Sequence, residues 1–138
     1  MLAILDTNVL LSALHSRSGA PAAVLDAWRN GRFQLVTSDE QIAEFKRAAR
    51  YPALRRLLPH HAVGRIVNEL LRAEVLLVRL RRKGESPDPG DDYLLAMAIA
   101  AGADYLVTGD KALLRLKRAS GSRVVTPAQF IADLGRRR

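Results

Sequence analysis

Four carboxylates stand where the apolar pattern of the chain changes: Asp6, Glu44, Asp92 and Asp110. Asp6 ends the apolar run Leu2–Leu5, and Thr7-Asn8 after it leads into a second apolar run over residues 9–11. That is the pattern of a buried strand turning at once into a helix. Asp110 follows the apolar Tyr105–Val107 through Thr108-Gly109. Glu44 lies on the flank of a helical stripe made by Ile42, Phe45 and Ala49, and Asp92 falls in register with Leu95, Ala96 and Ile99. In an open parallel sheet ligands bind outside the carboxyl ends of the strands, so acids at strand and helix ends on that edge converge.

Taken singly, each acid has an ordinary structural use. Asp6 and Asp110 suit N-caps, Asp92 suits the positive end of a helix dipole, and Glu44 suits a solvated helix face. Taken together they repel, and they stay ionised in one pocket only with cations between them. Oxygen ligands with no His or Cys beside them select Mg²⁺ or Mn²⁺. Such ions polarise a phosphate and generate hydroxide from water, which is phosphodiester hydrolysis chemistry.

The bulk charge points to the same class of partner. Twenty-two Lys and Arg against fourteen Asp and Glu leave a formal +8, and eighteen of the twenty-two basic residues are Arg. Arginine's planar fork suits phosphate, and a net positive field favours a polyanion, most simply nucleic acid. An Arg-rich composition inherited from the genome is the competing explanation. The chain of 138 residues is one expected domain, 1–138, with 49% hydrophobic and 26% charged residues, in the range of a globular protein. No apolar run reaches the roughly 20 residues of a membrane span. Without a basic n-region no signal peptide is expected, and without cysteine there is neither a disulfide framework nor a thiolate metal site. The cytoplasm is the expected compartment.

The elements that must position the acids follow from periodicity. After the opening strand and helix, a helix is predicted over residues 21–30, with Gly31 as its C-terminal stop. A second strand covers 33–37, and Ser38 begins a helix with Gln41 at capping-box spacing. A short helix over 53–58 precedes a longer one over 59–74, whose apolar face is Val63, Ile66, Val67, Leu70 and Leu71. A third strand covers 75–80, and 81–90 is loop-like. Asp88 then caps a helix whose run over 93–101 is apolar on every side and therefore buried. Strands over 105–107 and 123–125, and helices over 110–117 and 127–134, complete the chain. Strands alternate with helices throughout, so the expected fold class is α/β, three layers around a mainly parallel sheet of about five strands.

The residues around the acids also resemble a known family. Asp6-Thr7-Asn8-Val9 is similar to the opening motif of PIN domains, the metal-dependent ribonuclease fold. IAEFKRAARYP, which holds Glu44, resembles the family's second acidic segment. DPGDDYLLAMAIAAGADYLVTGDKALL, residues 88–114, resembles its third and fourth, with Asp92 and Asp110 matching the metal-binding acids. VVTPAQFIADL is similar to the terminal segment of a subgroup of toxins from toxin–antitoxin pairs, related to VapC-type toxins. The likeness covers nearly the whole chain, and four acids in order with a TGD turn are far more specific than DTN alone.

What the resemblance implies is an α/β/α PIN-like domain that cuts RNA with one or two Mg²⁺ or Mn²⁺ ions. Asp6, Glu44, Asp92 and Asp110 would hold the metal directly or through water. Asn8 and Thr108 would support them, although ordinary turn or cap roles suit both equally well. A cognate antitoxin protein and a homodimer are implied with it. Asp91 adjoins Asp92 on a helix whose all-round apolarity does not choose between them. Asp88 is better read as the N-cap, and Asp104 as solvent-facing. Basic residues that would hold RNA are Arg47, Arg50, Arg55 and Arg56 after Glu44, and Arg81, Arg82 and Lys83 before Asp88. His60-His61 fits a surface position better than a metal site.

Two other readings compete. A non-catalytic RNA-binding or regulatory protein would keep the same fold. A phosphotransfer enzyme of the haloacid dehalogenase type also starts with an Asp after its first strand, but needs a second acid two residues on, where this chain has Asn8.

Overall fold

The computed structural model describes residues 1–76 and 92–137, without the side chains of residues 74–76 and 92. In chain order the strands are β1 (Leu2–Leu5), β2 (Gln34–Ser38), β3 (Glu74–Leu76), β4 (Tyr105–Val107), β5 (Arg118–Ala119) and β6 (Ser122–Val125). The helices are α1 (Thr7–His15), α2 (Ala20–Arg29), α3 (Asp39–Ala49), α4 (Pro52–Arg55), α5 (His60–Arg72), α6 (Asp92–Ala101), α7 (Lys111–Leu114) and α8 (Pro127–Arg136). The expected third strand beyond residue 76, the loop over 81–90 with its cap Asp88, the alternative acid Asp91, and the basic Arg81, Arg82 and Lys83 all lie outside the described residues.

Among the described residues the sheet has six strands in the order β3-β2-β1-β4-β6-β5. All neighbours run parallel except β5 and β6. The chain therefore winds outward from β1 in one direction and from β4 in the other. The crevice outside the carboxyl ends of β1 and β4 is the point where the strand order reverses, the favoured ligand site of such sheets. The two-residue β5 was not expected from the sequence. Lys117 and Ser120, at φ +58° and +57°, bend this basic stretch back onto β6.

Strand alternation divides the core between two faces. Ala3, Leu5, Leu35, Tyr105, Val107 and Val125 face one side, where α1, α2, α3, α5 and α8 pack. Ile4, Val36, Leu106 and Val124 face the other, against α6 and Leu113. This is the expected three-layer arrangement. Residues 93–98 of α6 are buried, as an all-apolar helix requires. On α5, Ile66 and Leu70 are buried, but Leu71 is 56% exposed and is not part of the core face. Phe130 of α8 meets Phe33 and Tyr105 edge-on, at 4.9 and 5.1 Å between ring centres.

Several helix ends follow the sequence signals, whereas α4 ends at Arg55 and α7 at Leu114, three residues short of the expected 58 and 117. Gly31, at φ +73°, closes α2: its N–H bonds Trp28 O while the Arg32 N–H bonds Ala27 O, the paired bonds of a Schellman turn. Ser38 caps α3 by accepting the Gln41 N–H at 3.1 Å. The reciprocal half of the expected capping box is absent, because Gln41 turns into the core. Its Nε2 donates to Leu5 O at 2.5 Å, and its Oε1 accepts the Thr37 hydroxyl at 2.8 Å. A complete capping box forms instead at Thr126 and Gln129, at the start of α8.

Gln41 thus fixes α3 to the last carbonyl of β1, one residue before Asp6. Gln41→Ala should destabilise the protein by about 1–3 kcal/mol, because Leu5 O and the Thr37 hydroxyl lose a buried partner. Urea unfolding followed by circular dichroism measures this, and an unchanged midpoint would count against the anchoring role.

Candidate active site

Asp6 is the N-cap of α1 and is buried, at 5% exposure. A buried carboxylate needs donors, and Asp6 has one on each oxygen. The Asn8 backbone N–H reaches Oδ1 at 3.2 Å, and the Thr108 hydroxyl reaches Oδ2 at 2.7 Å. The single proton of Thr108 is spent on Asp6, so its oxygen is free to accept, and it accepts the Asp110 N–H at 3.0 Å. One buried hydroxyl therefore joins the acid after β1 to the acid after β4. Backbone bonds hold the same edge: Asp6 N–H to Val107 O at 2.8 Å and Thr108 N–H to Val125 O at 2.9 Å.

Asp110 caps α7 through one oxygen, Oδ1, which accepts the Ala112 and Leu113 N–H groups at 2.8 and 3.4 Å. Among the described residues Oδ2 takes no hydrogen bond. The structural and chemical uses of Asp6 and Asp110 are compatible, since a cap leaves lone pairs open on each carboxylate.

Glu44 lies three residues beyond Gln41, on the face of α3 that Gln41 pins against β1. It is half-buried. The Thr7 hydroxyl donates to its Oε2 at 3.4 Å, and the buried Tyr93 hydroxyl lies 3.2 Å from the Thr7 oxygen. With the Thr7 proton directed to Glu44, Tyr93 is the donor to Thr7. This chain ties together the first turn of α1, the middle of α3 and the first turn of α6. Asp92 opens α6, immediately before Tyr93.

Burial, with a smaller share of charge repulsion, disfavours the ionised acids of this group. Burial raises the Asp6 pKa above its ordinary value, opposed by the Thr108 and Asn8 hydrogen bonds and reinforced by the Asp110 charge. Burial likewise raises Glu44, with the Asp6 charge adding to it and the Thr7 bond and Arg47 opposing it. Among the described residues, which omit the Asp92 side chain, no three acids or histidines are grouped tightly enough to hold one ion. The like-charge interactions run in pairs, Asp110 on Asp6 and Asp6 on Glu44. All the donors are carboxylate oxygens, a chemistry that fits a hard divalent cation.

Of the expected supporting residues, Thr108 is buried inside the cluster. Asn8 is exposed and acts on Asp6 through its backbone N–H. Arg47 is exposed beside Glu44, whereas Arg50 and Arg55 line a separate cleft of ≈ 540 Å³ with Lys46 and His60. His60 and His61 are both exposed. Asp104 is exposed and accepts the Leu2 N–H at 2.9 Å. Thr7 and Tyr93 were not singled out from sequence. Their only signal there is position, each one residue after a candidate acid.

A model of the PIN domain family matches residues 3–112, a span that contains all four acids. The fold is similar to the crystal structure of VapBC2 from Rickettsia felis bound to a DNA fragment from their promoter. That match has a TM-score of 0.58 and 15% identity, and it covers 91% of this chain and 98% of that one. At such identity the likeness is one of fold. No curated protein matches the sequence.

Two outcomes are expected from the electrostatics. Asp6 and Glu44 bind a proton more tightly folded than unfolded, so metal-free stability should fall as pH rises from the ordinary carboxylate range through their raised values. Asp6→Asn, which still caps α1, should raise the thermal midpoint in EDTA at pH 7, and the gain should shrink as the pH is lowered. A gain that grew toward acid pH would reverse the sign of this account. Thr108→Val should cost about 1.5–3 kcal/mol in urea unfolding at pH 7, as for a lost bond to a charged group, whereas Thr108→Ser should stay close to the parent protein.

Proposed function

Since the chain belongs to the PIN domain family, we propose that it is a metal-dependent endoribonuclease, a single nuclease domain that hydrolyses RNA phosphodiester bonds. The observation that carries this reading is the Thr108 hydroxyl between Asp6 and Asp110 at the reversal point of the sheet, with Glu44 close enough to feel the Asp6 charge. Asp6, Glu44, Asp92 and Asp110 would be the ligands of Mg²⁺ or Mn²⁺. A divalent ion bound there supplies phosphate polarisation and a water of lowered pKa.

The protein's own groups prepare the site. Thr108 and the Asn8 N–H fix the orientation of the Asp6 carboxylate, and Thr7 with Tyr93 orients Glu44. Arg47 places a cation at the rim, where it would meet a phosphate next to the cut. Arg50, Arg81 and Arg82 are proposed as further RNA contacts. The VapBC-like fold supports a toxin of a type II toxin–antitoxin pair, with a cognate antitoxin, a homodimeric state and a cytoplasmic location as parts of the same proposal.

A second reading has one observation in its favour: Asp6 and Asp110 both act as helix caps, so a non-catalytic RNA-binding protein of this fold would keep them. Incubation of the purified protein with labelled mixed RNA in Mn²⁺, in Mg²⁺ and in EDTA separates the two. An Asp6→Asn/Asp92→Asn variant runs beside the parent. The nuclease reading expects metal-dependent cleavage that drops to the EDTA background in the variant. Binding without cleavage by either protein supports the second reading, and full cleavage by the variant would sink the carboxylate site.

A further inference from the structure

A second cleft, of ≈ 740 Å³, runs along β6 and α8, and Leu114, Lys117, Arg118, Arg123, Thr126 and Arg136 are among its walls. Its two ends can be located on the sheet. Thr126 follows Val125, whose carbonyl binds the Thr108 N–H, and Leu114 stands one helical turn after Asp110. One end therefore lies at the carboxylate edge. Arg123 marks the other end, because its N–H binds Asp104 O and it pairs in register with Tyr105, the first residue of β4.

This cleft contains a buried acid that the proposed chemistry does not use. Asp133 of α8, at 6% exposure, accepts the Tyr105 hydroxyl at 3.0 Å and Arg123 Nη1 at 2.8 Å on Oδ2, while Oδ1 accepts from Arg136. Arg123 and Arg137 also lie over the Tyr105 ring, at 5.6 and 5.8 Å from its centre. Charge balance at one buried carboxylate needs one cation. Here two guanidinium groups are fastened to it, with side chains 48% and 73% exposed, and Lys117 and Arg118 stand beside them. Each anchored guanidinium keeps further N–H donors, so the cleft presents oriented forks and an excess of positive charge, the chemistry that holds phosphodiesters.

We infer that this cleft binds the sugar–phosphate backbone of the RNA strand on its way to or from the carboxylate edge. Along the cleft, Asp133 accepts hydrogen bonds from Arg123 and Arg136. The choice of RNA as the strand rests on the ribonuclease reading; the phosphate chemistry does not.

The test is fluorescence anisotropy of a labelled single-stranded RNA in EDTA, where no cleavage intervenes, with duplex DNA of the same length as a second probe. Arg118→Gln/Arg136→Gln removes two cations and leaves Asp133 paired with Arg123 and Tyr105. A thermal midpoint and a circular dichroism spectrum check its folding, and Arg118→Gln alone serves if the pair does not fold. The expected result is RNA affinity about tenfold weaker at physiological salt, with the slope of log K against log salt falling by about 0.7 per lost contact. Unchanged RNA affinity and slope in a folded variant would overturn the inference, as would a loss confined to duplex DNA or no RNA binding by the parent protein. Cleavage in Mn²⁺ is read separately, so failure of the nuclease reading with the binding loss intact would leave the cleft assignment standing.

Discussion

A carboxylate almost excluded from water at the end of β1 is the constraint on which the acid edge of this molecule depends. Burying Asp6 is costly unless donors meet it; two do, and a third bond satisfies the carbonyl just before it. The Asn8 N–H comes from the first turn of α1, the Thr108 hydroxyl from the turn after β4, and the Leu5 carbonyl just before Asp6 is claimed by Gln41 of α3. Two of these three bonds also bring another acid within range. Thr108 carries Asp110 with it, and Gln41 carries Glu44. The site is a by-product of solving the Asp6 problem in this way.

The solution is incomplete by design of the charges. Burial and repulsion push Asp6 and Glu44 toward the protonated form, while Thr7, Thr108, Asn8 and Arg47 pull the other way. A cation between the carboxylates would resolve this conflict better than any protein donor present, since it neutralises both at once. The metal-free fold is therefore under electrostatic tension at the place where chemistry is proposed, and the strain falls at a sheet edge rather than in either apolar layer.

The sequence made much of this edge legible because its signals are abrupt. An apolar run stopped by Asp6, a TGD turn after Tyr105–Val107 and a helix apolar on all faces leave few alternative placements. The failures are also specific. Ser38 with Gln41 and Thr126 with Gln129 have the same capping-box spacing, yet only the second forms the reciprocal pair. The difference is tertiary: Gln41 reaches across to the Leu5 carbonyl at the end of β1, whereas Gln129 turns back to the N–H of its own N-cap. β5 was hidden because two residues at positive φ in a basic stretch look like surface loop. Thr7 and Tyr93 were overlooked because neither residue type advertises a role, and only the convergence of α1, α3 and α6 gives them one.

The double use of Asp6 and Asp110 has a consequence for descent. Both begin helices, so selection for folding alone would retain them, or admit Asn or Ser in their place, in a lineage that had abandoned hydrolysis. Glu44 begins nothing; it sits in mid-helix with one weak hydroxyl bond, and its burial beside Asp6 is a burden on the fold. Among homologous chains it is the acid that would drift first once catalysis ceased to matter. Persistence of a glutamate at that position is thus better testimony to working chemistry than persistence of either aspartate.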